Sequence, residues 1–193
     1  KPIRFDGNGY SAEWREEAQR RGLPHARDTV EALEIWEQPE VRELLSRAHV
    51  LSAAEQEARV HVRHEQYQKA LAIEAQVLRE LTETMILPAA MEDLRRKAAV
   101  QEVLGRAPRG PAVLAAFDRE RDLIAEGYDL LNRLKEALTA AEHTDELHAR
   151  TRAFAQKVRP AQQALREVLD HIEEVVDASL WPLPKYREML AEL

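Results

Sequence analysis

From Ser52 to Leu104 the chain holds no glycine and a single proline, Pro88. Ser52-Ala53-Ala54-Glu55 has capping-box spacing, and strong helix formers follow it almost without a break. Some fifty residues at a helical rise of 1.5 Å make a rod on the order of 75 Å. A helix gains most of its stability by burying an apolar face, so a rod of this length needs other long helices beside it. Proline removes one backbone hydrogen bond and its ring meets the carbonyl four residues back, which predicts a kink near Thr84 to Pro88. One apolar stripe is Val60, Tyr67, Leu71, Leu78, Leu81 and Met85; a second is Ile73, Val77, Leu87, Met91 and Leu94. Two such faces predict more than one neighbour.

The required partners lie downstream. Ala112 to Glu142 repeats apolar residues every seven positions at Phe117, Ile124, Leu131 and Leu138, with Gly127 inside the run as a mark of close helix approach. Thr144 or Asp145 is placed to cap the next helix. Its seam steps by fours and threes through Leu147, Thr151, Phe154, Val158, Ala161, Leu165, Val168, Ile172 and Val175. Pro160 interrupts it and predicts a second kink. Ahead of the long rod, three short helices are expected: Ser11 capping a helix to Arg21 before Gly22, Asp28 and Glu31 opening one to Glu37, and Pro39 opening one to His49. A short helix over Lys185 to Leu193 closes the chain. No alternating strand pattern appears. The fold expected is therefore all-α, an elongated antiparallel helical bundle with crossing angles of about 20°. Residues 1–50 form a short-helix segment packing with the C-terminal tail, residues 51–193 the long-helix bundle, and the whole one structural domain.

Composition excludes several functions. With 35 acidic and 28 basic residues the formal charge is −7, so a nucleic-acid phosphate backbone finds no general attraction. The absence of cysteine removes disulfides, thiolate metal sites and a cysteine nucleophile, in keeping with a cytoplasmic setting. The longest apolar run, Met85 to Met91, is far short of the about 20 residues of a membrane span. Lys1 stands where an initiator Met would, which fits either processing or a longer parent polypeptide.

Candidate chemistry is thin. Gly7-Asn8-Gly9-Tyr10-Ser11-Ala12 matches G-x-G-x-x-A ahead of a helix, but lacks the flanking strands of a dinucleotide fold; a tight turn with Ser11 as cap explains it. Glu57, His61 and Glu65 share a helix face at metal-ligand spacing beside His64, yet Glu-x-x-His, H-E-x-x-H and H-x-x-E-H are all absent. A solvated, ion-paired face is the simpler reading. Glu74 falls among apolar neighbours, where a buried carboxylate needs a partner such as Lys69. His171 reads as a seam-edge histidine. Arg106 and Arg109 could hold an anion in the Gly/Pro loop. No catalytic, cofactor-binding or metal residue is assigned. The aromatics Phe5, Tyr10, Trp14, Trp36, Trp181 and Tyr186 gather outside the long helices, as anchors of an interface would.

Several segments taken in order resemble type III glutamine synthetases. Phe5-Asp6-Gly7-Asn8-Gly9-Tyr10-Ser11, Glu13-Trp14, Glu17-Ala18 and Arg21-Gly22-Leu23 resemble the stretch that follows the catalytic portion. Glu65-Gln66-Tyr67-Gln68-Lys69, Ile73-Glu74-Ala75 and Ile86-Leu87-Pro88-Ala89-Ala90 resemble the family's long helix, and Trp181-Pro182-Leu183-Pro184-Lys185-Tyr186 its C-terminal ending. The resemblance implies a parent several times longer, which ligates ammonia to glutamate with ATP and Mg or Mn through a γ-glutamyl phosphate. It also implies a dodecamer of two stacked hexameric rings. The family's metal carboxylates, nucleotide contacts and phosphate-binding arginines lie upstream, so none is carried onto a residue here. The partners expected are the catalytic domain and sister subunits, with no nucleic acid and no membrane, and Phe5, Trp14, Trp36 and Trp181 are candidates for docking. The residues alone leave two other readings open: a free-standing adaptor or scaffold that binds a protein, and a small-ligand or metal enzyme using Glu57, His61, Glu65 and Glu74.

Overall fold

The computed structural model describes residues 5–23, 26, 28–105 and 110–191. They form an all-α fold, with no strand among the described residues. The helices are α1 (Ala12–Arg20), α2 (Thr29–Trp36), α3 (Pro39–Arg47), α4 (Ala53–Leu81), α5 (Leu87–Gly105), α6 (Gly110–Glu142), α7 (Leu147–Ala153), α8 (Arg159–Val175) and α9 (Tyr186–Ala191). The chain divides into two compact units, an amino-terminal unit of residues 1–64 and a long-helix unit of residues 65–193, with the division inside α4.

The amino-terminal unit is built by its caps. Ser11 Oγ accepts from Trp14 N at 3.3 Å, and Asp28 Oδ1 accepts from Glu31 N at 2.9 Å, so α1 and α2 begin where their sequences place them. Pro39 opens α3 at a position where no backbone donor is needed. Helices α1 and α3 end alike. Gly22 at φ 69° and His49 at φ 55° both adopt the left-handed conformation, and Leu23 N and Val50 N donate back to Ala18 O and Leu45 O. Helix α3 thus stops at Arg47, and His49 serves as its reversal. At the start of α4, Ser52 and Glu55 bond reciprocally: Ser52 N donates to Glu55 Oε2 at 2.8 Å, and Glu55 N to Ser52 Oγ at 3.3 Å. Ala18, Val30, Leu33 and Val60 are the buried apolar residues among those described in this unit.

In the long-helix unit α6 packs against α5 and α8. Leu87, Leu131, Leu134, Leu165 and Ile172 are fully buried in a core that also takes in Leu71, Ala75, Ile86, Ile124, Phe154 and Val158. Each such leucine contributes about 1.5–3 kcal/mol through burial. The predicted seam is buried at Thr151, Phe154, Val158, Leu165, Val168 and Ile172, with Ala161 partly buried, but ends on Val176 rather than Val175. A Cβ added to Gly127 would stand 3.1 Å from Leu87 Cδ2 and 3.5 Å from Ile172 Cδ1, which is the close approach its position implied.

Both prolines are accommodated by a π-helical turn instead of a simple break. Thr82–Ile86 precedes Pro88, and Phe154–Val158 precedes Pro160. The residue just before each proline makes the wide bond: Leu87 N donates to Thr82 O, and Arg159 N to Phe154 O. The wider turn gives the ring room against the carbonyl four residues back. The disturbance therefore starts two residues earlier than expected, at Thr82. It also shifts the buried stripe: Ile86 is buried and Met85 is 36% exposed, the reverse of the seven-residue extrapolation.

The second predicted face of the rod is corrected too. Leu87 is buried, but Ile73 is 60% exposed, and Val77 and Met91 also face solvent. The α7 cap is Glu146, whose carboxylate accepts from His148 N and Ala149 N, not Thr144 or Asp145. Helix α6 begins two residues early, at Gly110, and α9 begins at Tyr186 and runs to Ala191, with residues 192 and 193 of the expected helix outside the described residues.

Candidate functional site

The Gly7–Ser11 turn is closed on itself. Asn8 Oδ1 accepts from Tyr10 N at 3.0 Å, while Asn8 O accepts from both Ser11 N at 3.0 Å and Ser11 Oγ at 2.8 Å. Phe5 folds back so that its ring lies 4.7 Å from that of Trp14, and a Cβ on Gly7 would strike the Phe5 ring at 2.5 Å. With Tyr10 N, Ser11 N and Trp14 N already donated internally, the turn does not fit a nucleotide phosphate, and no step is drawn through one. Tyr10 projects from it, 93% exposed, beside an open groove lined by Gly9, Trp14, Arg15, Gln19 and Leu23. Leu44 and Val50 are exposed in the same unit.

Trp36 sits at the end of α2. Its carbonyl accepts from Gln56 Nε2 at 2.6 Å, and the Arg63 guanidinium lies 5.3 Å over its ring. His64 is 1% exposed, with Nε2 3.0 Å from Glu37 Oε1. The sequence places His64 only beside the helix face of Glu57, His61 and Glu65. The structure instead turns it inward, one position round from the solvent-facing Glu57 and His61. Glu74 is exposed, so the expected buried carboxylate is not there; Ala75 takes the inward place. His171 is exposed, its Nδ1 2.6 Å from Glu167 O. Arg106 and Arg109 lie outside the described residues. Trp181 is packed on the core of the long-helix unit.

Two polar clusters in the long-helix unit escaped sequence reading. In the first, Gln68 Nε2 donates to Thr151 Oγ1 at 2.7 Å and Leu147 O at 3.0 Å, pinning α4 to the start of α7. In the second, Lys97 of α5 has its Nζ 2.7 Å from Asp93 Oδ2, 2.5 Å from Glu120 Oε2 and 2.9 Å from Val175 O. Asp93 Oδ2 also accepts from Asp177 N at 3.1 Å. Asp93 and Lys97 were visible as an i, i+4 pair, but nothing in the sequence announces Glu120 from another helix. Burial pushes the Glu120 carboxyl above the ordinary glutamate value against the pull of Lys97, and Asp93 adds to the rise. Burial pulls the Lys97 ammonium down, but its bonds to Asp93 and Glu120 outweigh this and hold it above the ordinary lysine value.

These groups position backbone and helices, while Tyr10, Leu44 and Val50 of the amino-terminal unit are exposed. Among the described residues no helix is long and apolar enough to cross a membrane. Comparison with known proteins gives these features a setting. A glutamine synthetase of Bacteroides fragilis is 33% identical over 98% of this chain and 27% of its own length. A type-3 glutamine synthetase of Dictyostelium discoideum is 30% identical over 96% of the chain and 26% of its own length. A glutamine synthetase of Butyrivibrio fibrisolvens is 28% identical over 100% of the chain and 28% of its own length. The chain thus spans about a quarter of the length of the curated relatives it matches. The family described as the glutamine synthetase C-terminal domain matches residues 1–102, and it is to this family that the chain belongs.

Proposed function

We propose that the chain is the non-catalytic helical portion of a type III-like glutamine synthetase, serving assembly or support of the catalytic domain. The observation that carries the reading is the alignment itself: 98% of this chain matches only 27% of the Bacteroides relative. Its polar groups give further support, since Lys97, Gln68 and Gln56 are committed to bonds that fix helices. On this reading the parent enzyme works in the cytoplasm as a homo-dodecamer, joining ammonia to glutamate with ATP and Mg or Mn. The partners of this chain are the catalytic domain and sister subunits, with no nucleic acid and no membrane. Trp36, Tyr10, Leu44 and Val50 are the exposed residues best suited to contact them.

The test has two arms. The 193-residue chain, supplied with glutamate, ammonia, ATP and Mg or Mn, is expected to make no γ-glutamyl product; measurable transfer overturns the non-catalytic role. Removing the chain from the parent enzyme is expected to shrink its sedimenting assembly or abolish its activity. An assembly and activity both unchanged overturn the supporting role and leave the free-standing adaptor as the better account.

A further inference from the structure

Two carboxylates, Asp93 and Glu120, are buried in the long-helix unit, at 3% and 1% exposure. One ammonium serves both. Lys97 has three protons, and three acceptors claim them: Asp93 Oδ2, Glu120 Oε2 and Val175 O. The charge count is therefore two negative against one positive, with both carboxylates shut off from water although the Lys97 side chain is 40% exposed. One acceptor is left over as well, since Glu120 Oε1 is buried with no hydrogen-bond partner. A single proton held between the two carboxylates removes both faults: it cancels the surplus charge and turns an orphaned acceptor into a donor.

The cluster also holds the chain that leaves α8. Val175 O is bound by Lys97, and Asp177 N by Asp93. Asp177 O then accepts from Leu180 N and Trp181 N, at 2.9 and 3.1 Å, and Leu180, Trp181 and Leu183 pack on the core. Asp93 therefore stands between Glu120 and the backbone of this turn. If Glu120 ionises, the repulsion falls on Asp93, and the turn carries a further negative charge in the Asp177 carboxylate. We propose that Asp93, Lys97 and Glu120 form a proton-operated latch on residues 176–183, closed while the two carboxylates share a proton and loosened when it departs.

The surrounding charges leave Glu120 as the group that titrates. From α5 it faces Asp93 and Lys97, with Arg96 lying towards Asp177. Arg119 of α6 and Glu174 of α8 pair with one another in solvent, at 3.6 Å. Hydrogen bonds from Ser179 hold the Asp177 carboxyl below the ordinary range, so it stays ionised. Lys97 is held above its ordinary value and stays charged. Glu120 is raised, so its contribution to the closed state is complete below the ordinary glutamate value and is lost as pH rises through the raised one.

Hydrogen exchange of a peptide covering 176–183, followed by mass spectrometry on the full chain from pH 5 to 9, tests this. After correction for intrinsic exchange, protection in the wild type is expected to fall with rising pH, by about tenfold per unit of elevation of the Glu120 value. Glu120→Gln mimics the protonated form: its carbonyl still accepts from Lys97 and its amide can donate to Asp93. It is expected to stay protected across the range. Asp93→Asn leaves Glu120 and Lys97 balanced and should also give a flat profile; it decides the matter if Glu120→Gln does not fold by circular dichroism. A flat wild-type profile, or a slope that survives in a folded variant, overturns the latch.

Discussion

The two units solve the same problem, holding helices together, by different means. The long-helix unit buries a continuous layer of leucine, isoleucine, valine and phenylalanine from α4, α5, α6, α8 and the two π-turns. Among its described residues the amino-terminal unit buries few apolar side chains, and it is held by caps, the Phe5–Trp14 ring contact, the Gln56 bond to Trp36 and the His64–Glu37 contact. Burial gives stability in proportion to area, whereas individual polar contacts contribute about 1 kcal/mol each. The first unit to open on heating or in denaturant should then be the one that also exposes Tyr10, Leu44 and Val50.

The contrast can be broken most sharply at the core. Leu134→Ala is expected to destabilise the long-helix unit by about 3–5 kcal/mol in urea unfolding. Leu33→Ala should instead raise amide exchange across α1 to α3 while leaving the long-helix transition in place; a shared loss in both would show that the units unfold as one. Gly127→Val crowds Leu87 and Ile172 and should cost about 1–3 kcal/mol, read as a lower melting temperature. Asp28→Ala removes the cap of α2 and should cost about 1 kcal/mol, seen as faster exchange in the amino-terminal unit alone. Smallest of all, Ile73→Ser on the exposed face should change stability of the isolated chain by no more than about 0.5 kcal/mol.

Much of this was legible because it is local. Ser11, Asp28 and the Ser52–Glu55 pair cap where their spacing says, since a cap needs only residues three positions apart. The α7–α8 seam and Gly127 were legible because a sustained period leaves one solution for the buried face. What failed depended on distant partners or on a change of period. Met85 and Ile86 exchanged places because Thr82–Ile86 is a π-turn, which a fixed seven-residue step does not anticipate. Ile73 and Val77 looked like core on residue type, yet the neighbours meet the opposite face, at Leu71 and Ala75. The polar contacts of Gln68, His64 and Glu120 join residues 23 to 83 positions apart, and no spacing rule reaches them.

The paired π-turns give this protein slack in its chain length. Each contains one residue beyond what regular winding needs, so a deletion within 82–86 or 154–158, made together with replacement of the proline that follows, would restore ordinary winding and keep the flanking faces in phase. Elsewhere along the same helices, losing one residue would swing everything beyond it by about 100° and pull the leucine layer apart.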